Sequence, residues 1–271
     1  QIRVAARDAN SISAFPNFVS STDLHLTTDN CSIDNKGTPI AGYTLDIDNQ
    51  TRHVSVPDLG ADEFSSIPGN ILYNTVGTTI TDTRTVAATE IFRSPACELF
   101  ATLQPNGGNP VSGSVTARVY KYATVQTFFG EPYLQRVIDI TPASGAATAT
   151  GRVTLYYTQQ EFNDFNTASG PWPDLPTGPA DAAGIANFRF TKYGGAPTVT
   201  PPAPYQYAPV VAPLLINPPD GDIVWNATFS RWEVTVDITG FSGFYVHTNN
   251  LFVLPITVNY LTGLKQGSNH L

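Results

Sequence analysis

Apolar and polar residues alternate along several stretches after residue 71, and this alternation is the clearest structural signal in the chain. Residues 113–122 and 148–158 carry Val, Ala or Leu at every second position over much of their length, with Thr, Arg or Tyr between them. Period-two alternation with one polar face is typical of antiparallel strands that pack on one side. The predicted strands of this part include residues 89–104, 113–122, 133–142, 148–158 and 186–193.

Residues 159–166, QQEFNDFN, are the one predicted helical turn, because Phe162 and Phe165 are three positions apart and share a face. Its acidic residues Glu161 and Asp164 are expected to be solvated. The Pro-rich run over residues 197–215 predicts an extended crossing without regular structure.

The last part of this pattern predicts a hairpin that turns at Phe229–Ser230. Its strands and the one after it are predicted at about 222–228, 230–238 and 241–248. Trp225 and Trp232 lie on the two hairpin strands, and we expect both to pack in the core. In total the pattern predicts roughly nine strands between residues 71 and 250, arranged as an antiparallel β-sandwich of the jelly-roll or immunoglobulin-like kind.

Residues 1–66 do not follow this pattern, because short apolar pieces are interrupted by clusters of Ser, Asn, Asp and Gly. Such spacing is typical of a solenoid, whose coils are short strands joined by polar corners, and a small sandwich would fit it as well. Residues 65–70, SSIPGN, predict a short linker. We therefore expect one unit over 1–66 and a second over 67–252.

The composition favours an all-β chain, since only 13% of the 271 residues are charged and β-branched and aromatic residues are frequent. The formal net charge is −8 and the 14 Lys and Arg are spread singly, so we expect no nucleic-acid partner. No apolar stretch approaches the roughly 20 residues of a membrane-spanning helix, and we expect no membrane insertion. The sequence has no Met and shows no signal peptide at Gln1, so we expect the natural start to lie upstream.

The two cysteines, Cys31 and Cys97, fall on opposite sides of the expected boundary and form no metal or redox motif. Two buried, unpaired thiols are therefore the favoured interpretation. The alternative is a disulfide, which would require an oxidising location.

The loop over residues 43–64 holds two acidic pairs, Asp46 with Asp48 and Asp62 with Glu63. Asp and Asn side chains accept backbone N–H groups and close turns, and Arg52 can bridge a carboxylate. We therefore expect this loop to be a structural cap. The alternative is a calcium site built from the four carboxylates, although they lack the regular spacing of known calcium loops.

This loop and the residues before it resemble the closing segment of secreted bacterial proteins with a right-handed parallel β-helix. Those proteins finish with a D-x-D-x-x-x-R stretch followed by D-[IL]-G-A-D-E-[FY]. The matching residues are Asp46, Asp48, Arg52, Asp58, Leu59, Gly60, Ala61, Asp62, Glu63 and Phe64. The resemblance covers residues 20–64 and implies that residues 1–66 contain the terminal coils of such a helix.

The second part resembles a module found near the ends of large surface proteins of the Bacteroidetes, in residues 143–166, 175–195 and 231–248. Residues 253–271 resemble the start of the immunoglobulin-like domain that precedes a type IX secretion sorting signal in those proteins; the signal itself is not in the sequence. The resemblance implies an extracellular, cell-surface location and contact with the type IX export machinery.

No catalytic constellation stands out in the sequence. His25, His53, His247 and His270 are not at ligand spacing, and we expect His247 to be a structural residue. GFSGF at 240–244 departs from the G-x-S-x-G pattern of a nucleophile, and Glu98, Glu131 and Glu233 are scattered. We therefore expect no enzyme activity and no cofactor other than the possible calcium ion.

The leading functional hypothesis is a non-catalytic structural or adhesive portion of a large secreted surface protein, able to assemble chain to chain. The alternatives are a carbohydrate-binding module and the tail of a polysaccharide-degrading β-helix enzyme. For sugar binding, the candidate aromatic platform is Trp172 with Tyr205 and Tyr207, since these rings lie in Pro-rich loops and a ring face can bind a sugar. An extracellular glycan would be the partner.

Overall fold

The computed structural model describes residues 16, 18–27, 30–66, 71–202, 204, 206–208 and 212–248. The helices are α1 (Gln159–Ala168), α2 (Ala182–Asn187) and a single 3₁₀ turn at Asp220–Asp222. The strands are β1 (Thr79–Val86), β2 (Glu90–Arg93), β3 (Leu99–Pro105), β4 (Gly113–Lys121), β5 (Gln126–Phe128), β6 (Glu131–Tyr133), β7 (Arg136–Pro142), β8 (Thr150–Tyr157), β9 (Arg189–Gly194), β10 (Ala196–Pro197), β11 (Tyr207–Ala208), β12 (Leu214–Ile216), β13 (Ile223–Asn226), β14 (Arg231–Thr239) and β15 (Ser242–His247).

Two large antiparallel sheets make up the body of the structure. The six-stranded sheet has the order β1-β4-β7-β15-β9-β12, and β1 and β12 are its outermost strands. The five-stranded sheet has the order β13-β14-β8-β3-β2. Two short ribbons, β5–β6 and β10–β11, accompany them.

The inner faces of the two sheets share one hydrophobic core. On β4 the apolar residues Val115, Ala117 and Val119 are each 1% exposed or less, while Thr116 and Arg118 between them are half-buried. Strand β8 in the opposite sheet alternates in the same way from Thr150 to Leu155, and its last two residues, Tyr156 and Tyr157, are both buried. The predicted antiparallel, all-β character is therefore confirmed for the described residues, and on β4 and β8 the period-two signal correctly identified the inward-facing positions.

The β13–β14 hairpin confirms the predicted packing of the two tryptophans. Trp225 lies directly opposite Trp232 in the register of the hairpin. Because such partners project to the same side of a sheet, the rings meet edge to face with their centroids 5.6 Å apart. Trp232 is fully buried, and Trp225 is half-buried against the same core.

Three local predictions about the sheets and helices need correction. Residues 89–104 form two strands, because a turn at Cys97, with a φ of 68°, separates β2 from β3. Helix α2 was not predicted; Asp181 begins it by accepting the N–H of Gly184. Helix α1 confirms the predicted helical turn, but Glu161 is fully buried rather than solvated because it pairs with the buried Arg136.

The outer face of the six-stranded sheet is also buried over its central strands, contrary to the expected polar face. Every residue of β15, and all but one residue of β7, is buried. The cover consists of the β5–β6 ribbon and the described residues of the Pro-rich segment, and Tyr207 of that segment joins a second aromatic cluster on this face. Its buried members are Tyr133, Val137, Tyr193, Tyr207 and Tyr245.

In the described part of residues 16–66 the structure has no strand, only the antiparallel bridges Phe18–Leu26 and Leu45–Thr51. The predicted β-helix coils are thus not confirmed. This N-terminal segment is joined to the sheets by a disulfide between Cys31 and Cys97, with Cα atoms 5.8 Å apart. The favoured interpretation of two unpaired thiols is therefore wrong, because the chain folds back and brings Cys31 to the turn between β2 and β3. The predicted part 253–271 lies outside the described residues.

Candidate functional site

The N-terminal segment (the described residues 16–66) exposes large apolar side chains to an unusual degree. The most exposed are Leu24, Ile40, Tyr43, Ile47 and Val54, with exposed fractions of 66%, 68%, 72%, 66% and 86%. Isolated apolar residues are common on protein surfaces, whereas a contiguous apolar patch marks an interaction surface. Whether these side chains form one contiguous patch therefore decides whether the segment offers an interaction surface.

These side chains line two adjoining grooves. One groove, of about 830 Å³, includes Ile40, Tyr43 and Val54 in its wall. The other, of about 550 Å³, includes Phe18 and Leu24. The two grooves share Ile47, Leu59, Gly60 and Ala61. We call this continuous surface the apolar face of the N-terminal segment.

Carboxylates take the place of strand pairing in holding this segment together. Asp46 Oδ1 accepts the N–H groups of Asp48 and Gln50 at 2.8 and 2.7 Å, and its Oδ2 accepts that of Glu63 at 3.0 Å. Burial raises the pKa of Asp46, but the three backbone donors outweigh it and lower the pKa of this carboxyl overall. The loop tip is therefore fixed by a charged acceptor.

Carboxylates also fix the second part of the motif, residues 58–64, by accepting backbone N–H groups. Asp58, which is buried, accepts the N–H groups of Asn35 and Phe64 at 2.5 and 2.8 Å. Glu63 accepts the N–H groups of His53 and Asp58 at 2.8 and 3.1 Å. Desolvation raises the pKa of Asp58. These contacts are those expected of a structural cap.

Arg52 acts differently from the carboxylate bridge that the sequence suggested. Its guanidinium donates to the carbonyl oxygens of Gly60 and Asp58 at 2.9 and 2.5 Å. Its Nε is 3.6 Å from Glu63, which is a longer contact. Arg52 therefore stabilises the turn mainly by satisfying carbonyl groups that have no strand partner.

The calcium site that the sequence suggested would lie where Asp46 and Asp62 border the apolar face. One carboxylate oxygen each of Asp46, Asp48 and Asp62 lies within 4.8 Å of the others, and Glu63 does not belong to this group. Asp62 already accepts the N–H of Leu26 at 2.7 Å, and Asp48 contacts the His25 imidazole at 2.9 Å. Each carboxylate of the group has a protein partner, so calcium binding stays a prediction.

His25 is the cationic partner that sequence reasoning did not identify. Its Nδ1 is 2.5 Å from Asp23 and its Nε2 is 2.9 Å from Asp48. Hydrogen bonds to Asp23 and then to Asp48, together with their charges, raise the pKa of His25 from its ordinary 6.5 to about 9. An imidazolium therefore balances part of this acidic cluster at neutral pH.

We expect a titration of the His25 imidazole, followed by NMR, to have its midpoint near pH 9. Because the pKa is raised on folding, the stabilisation that the charged imidazole gains from Asp23 and Asp48 is fully present below pH 6.5 and is lost as the pH rises through about 9. Asp48→Asn is the matched control, and it should bring the midpoint down. A midpoint near 6.5 in the parent protein would contradict this assignment.

The three residues of the predicted sugar platform do not come together as an exposed surface in the described structure. Trp172 is half-buried after the end of α1, and Tyr205 lies outside the described residues. Tyr207 is only 4% exposed, because it packs on the sheet in the second aromatic cluster. The part of the prediction that places Tyr207 on an accessible platform is therefore wrong.

Gly243 explains how Tyr207 reaches the sheet. A Cβ atom at residue 243 would lie 1.8 Å from Tyr207 Oη, so only glycine permits this approach. Tyr207 and Tyr245 share a hydrogen bond of 3.0 Å, and Tyr245 donates to the carbonyl of Pro202. Burial raises the pKa of both phenols, which keeps them neutral as structural hydrogen-bonding groups.

His247 has an acid and a hydroxyl beside it, which the sequence did not reveal. Its Nε2 is 2.7 Å from Thr191 Oγ1, and its Nδ1 is 2.7 Å from Glu131 Oε1. The second contact is close but lacks the direction of a hydrogen bond, so Glu131 does not orient the imidazole as a triad acid would. Thr191 lies within a strand that is paired on both sides. The described grooves and cavity are lined by other residues.

Comparisons with protein-family models, with curated proteins and with solved structures found no match to this chain. Among the described residues, no helix has the length and apolar character needed to cross a membrane.

Proposed function

We propose that this chain is a non-catalytic structural portion of a large secreted bacterial surface protein. In this proposal residues 1–66 close a right-handed parallel β-helix, and the two sheets are a jelly-roll or immunoglobulin-like sandwich that follows it. The resemblance of residues 20–64 to β-helix closing segments supports the first part. The face-to-face packing of two antiparallel sheets supports the second.

The apolar face is the observation on which the proposal depends. A segment that forms its own core would bury residues such as Ile40, Ile47 and Val54, yet these are more than 60% exposed. Meanwhile the backbone of the same segment is fixed by charged side chains rather than by apolar packing. A preformed backbone with exposed apolar side chains is the form expected of a cap that receives the preceding coil of a β-helix.

The disulfide supports the proposed location. Disulfides persist in oxidising compartments, so the Cys31–Cys97 bond fits a protein that functions outside the cell. The disulfide also gives the proposed cap a second covalent connection to the sheets, in addition to the backbone at residues 67–70. A surface protein that bears load between its parts would benefit from this second connection.

The proposal is tested by amide hydrogen exchange in the present chain and in a polypeptide extended with residues that precede Gln1. We expect amides in residues 40–59 to exchange about tenfold more slowly in the extended polypeptide, because a stacked coil would bury the apolar face. Val54→Arg should abolish this gain in protection. Val224→Arg is the matched control, since Val224 is exposed on β13 outside the apolar face.

Equal exchange rates over residues 40–59 in the two polypeptides would overturn the proposed cap. Protection that survives Val54→Arg would also overturn it, because the protecting contact would then lie away from the apolar face.

A further inference from the structure

A buried group of charged residues lies where β4, β7 and α1 meet. Lys121 ends β4 and is opposite Arg136, the first residue of β7. Glu161 lies in the first turn of α1 and faces both of them. The side chains of Arg136 and Glu161 are 0% exposed, and that of Lys121 is 11% exposed. This group is independent of the apolar face and of the function proposed for it.

The contacts in this group place one carboxylate between two cations. Arg136 Nε donates to Glu161 Oε1 at 2.9 Å, and Lys121 Nζ is 3.6 Å from the same oxygen. The other oxygen, Oε2, accepts the N–H of Thr158 at 2.8 Å in the capping box of α1. Two positive charges thus share one negative charge in a desolvated place, which is an unfavourable balance.

Asn74 completes the arrangement from the segment before β1. Its Oδ1 is in hydrogen-bond contact with Lys121 Nζ. Arg136 Nη2 donates to the same Oδ1 at 3.5 Å. An amine, a carboxamide and a buried carboxylate are therefore held together, with a guanidinium directed at the carboxamide oxygen.

We propose that Lys121 and Asn74 form an intramolecular isopeptide bond. Glu161 accepts a proton from the Lys121 ammonium, and the free amine then forms a bond to Cγ of Asn74. The electron pair of the C=O bond moves onto Oδ1, where Arg136 donates. When the carbonyl forms again, the bond from Cγ to Nδ2 breaks and the attacking nitrogen gives up its second proton. Glu161 passes this proton and the first one to the departing nitrogen. Overall, the Lys121 ammonium and the Asn74 carboxamide are converted into one secondary amide and one ammonium ion. The reaction needs no oxidant and no cofactor.

The surroundings favour this reaction in three ways. The carboxylate oxygen Oε1 of Glu161 lies 3.6 Å from Lys121 Nζ, so a proton acceptor is placed beside the ammonium. Arg136 stabilises the negative charge that develops on Oδ1. Asn74 is exposed as a residue, so the ammonia formed at its side chain can leave to solvent. After the reaction Lys121 carries no charge, and Arg136 and Glu161 remain as a balanced buried pair.

The test is peptide mapping by mass spectrometry of the folded, full-length chain after reduction and protease digestion. We expect a branched peptide that contains Asn74 and Lys121 and has lost the mass of one ammonia. The intact mass alone is insufficient, because cyclisation of an N-terminal Gln1 loses the same mass. Asn74→Ala should yield only separate peptides, and since Asn74 is exposed this variant should keep the fold. Asn74→Asp should yield the same branched peptide with loss of water instead.

Glu161→Gln tests the proton-transfer role, because the amide keeps the shape of the side chain but does not accept the proton. We expect at least a tenfold lower extent of linkage in this variant at equal time after refolding. Size-exclusion chromatography isolates the folded protein, circular dichroism checks its fold, and only this material is digested and scored. Separate, unlinked peptides from the folded parent protein would overturn the proposal. Linkage of Glu161→Gln at the parental extent would overturn the role of Glu161.

Discussion

We expect the double substitution Cys31→Ser/Cys97→Ser to lower the free energy of unfolding by about 4 kcal/mol. The disulfide closes a loop with a sequence separation of 66 residues, so its loss restores a large amount of chain entropy to the unfolded state. The effect should be greatest for the N-terminal segment, which has few buried apolar residues of its own in the described structure.

Denaturant unfolding of the oxidised parent and of the double variant measures this difference. The reduced parent is the matched control, because the sequence has 2 Cys and no other thiol can contribute. Its unfolding curve should coincide with that of the double variant. Equal midpoints for the oxidised parent and the double variant would show that the bond contributes no stability.

Trp232→Ala should lower the free energy of unfolding by about 3–5 kcal/mol, the range for removal of a large buried aromatic side chain. Trp232 is fully buried, and its ring centroid is 5.6 Å from that of Phe162 on α1. Its Nε1 also donates to Gln159 Oε1 at 2.9 Å. The substitution therefore removes core volume and a hydrogen bond that joins α1 to the five-stranded sheet.

Thermal and denaturant unfolding of Trp232→Ala and Trp225→Ala provide the comparison. Trp225 is chemically identical and directly opposite in the hairpin, but it is only half-buried. Trp225→Ala should therefore lower the free energy of unfolding by clearly less than Trp232→Ala, because it removes less apolar area from the core. Equal losses for the two variants would contradict the assignment of Trp232 as the residue that anchors α1.

The strands could be predicted from the sequence because the period of alternation is a local property. Val115, Ala117 and Val119 face the core as expected, and the tryptophan pair packs inside as expected. The outer cover could not be predicted in the same way. Tyr207 is distant in sequence from Tyr245, and nothing local indicates that a Pro-rich segment folds onto the sheet at Gly243.

The candidate site was also predicted only in part. The sequence predicted that carboxylates would hold the loop, and Asp46 and Asp58 do so by accepting backbone N–H groups. It did not predict the pairing of His25 with Asp48, because the two residues meet only after the chain has folded back. Glu161 was misjudged for a similar reason, since its partner Arg136 comes from a different element.

The length of β1, an outermost strand of the six-stranded sheet, bears on how a strand of another molecule could pair with this sheet. Of the four outermost strands of the two large sheets, β2, β12 and β13 have only 4, 3 and 4 residues, whereas β1 has 8. A neighbouring molecule that added a strand would therefore find its longest hydrogen-bonding edge at β1. Asp82 and Arg84 form an ion pair of 2.8 Å on this strand, and charged residues on an outermost strand oppose pairing with a strand of another molecule.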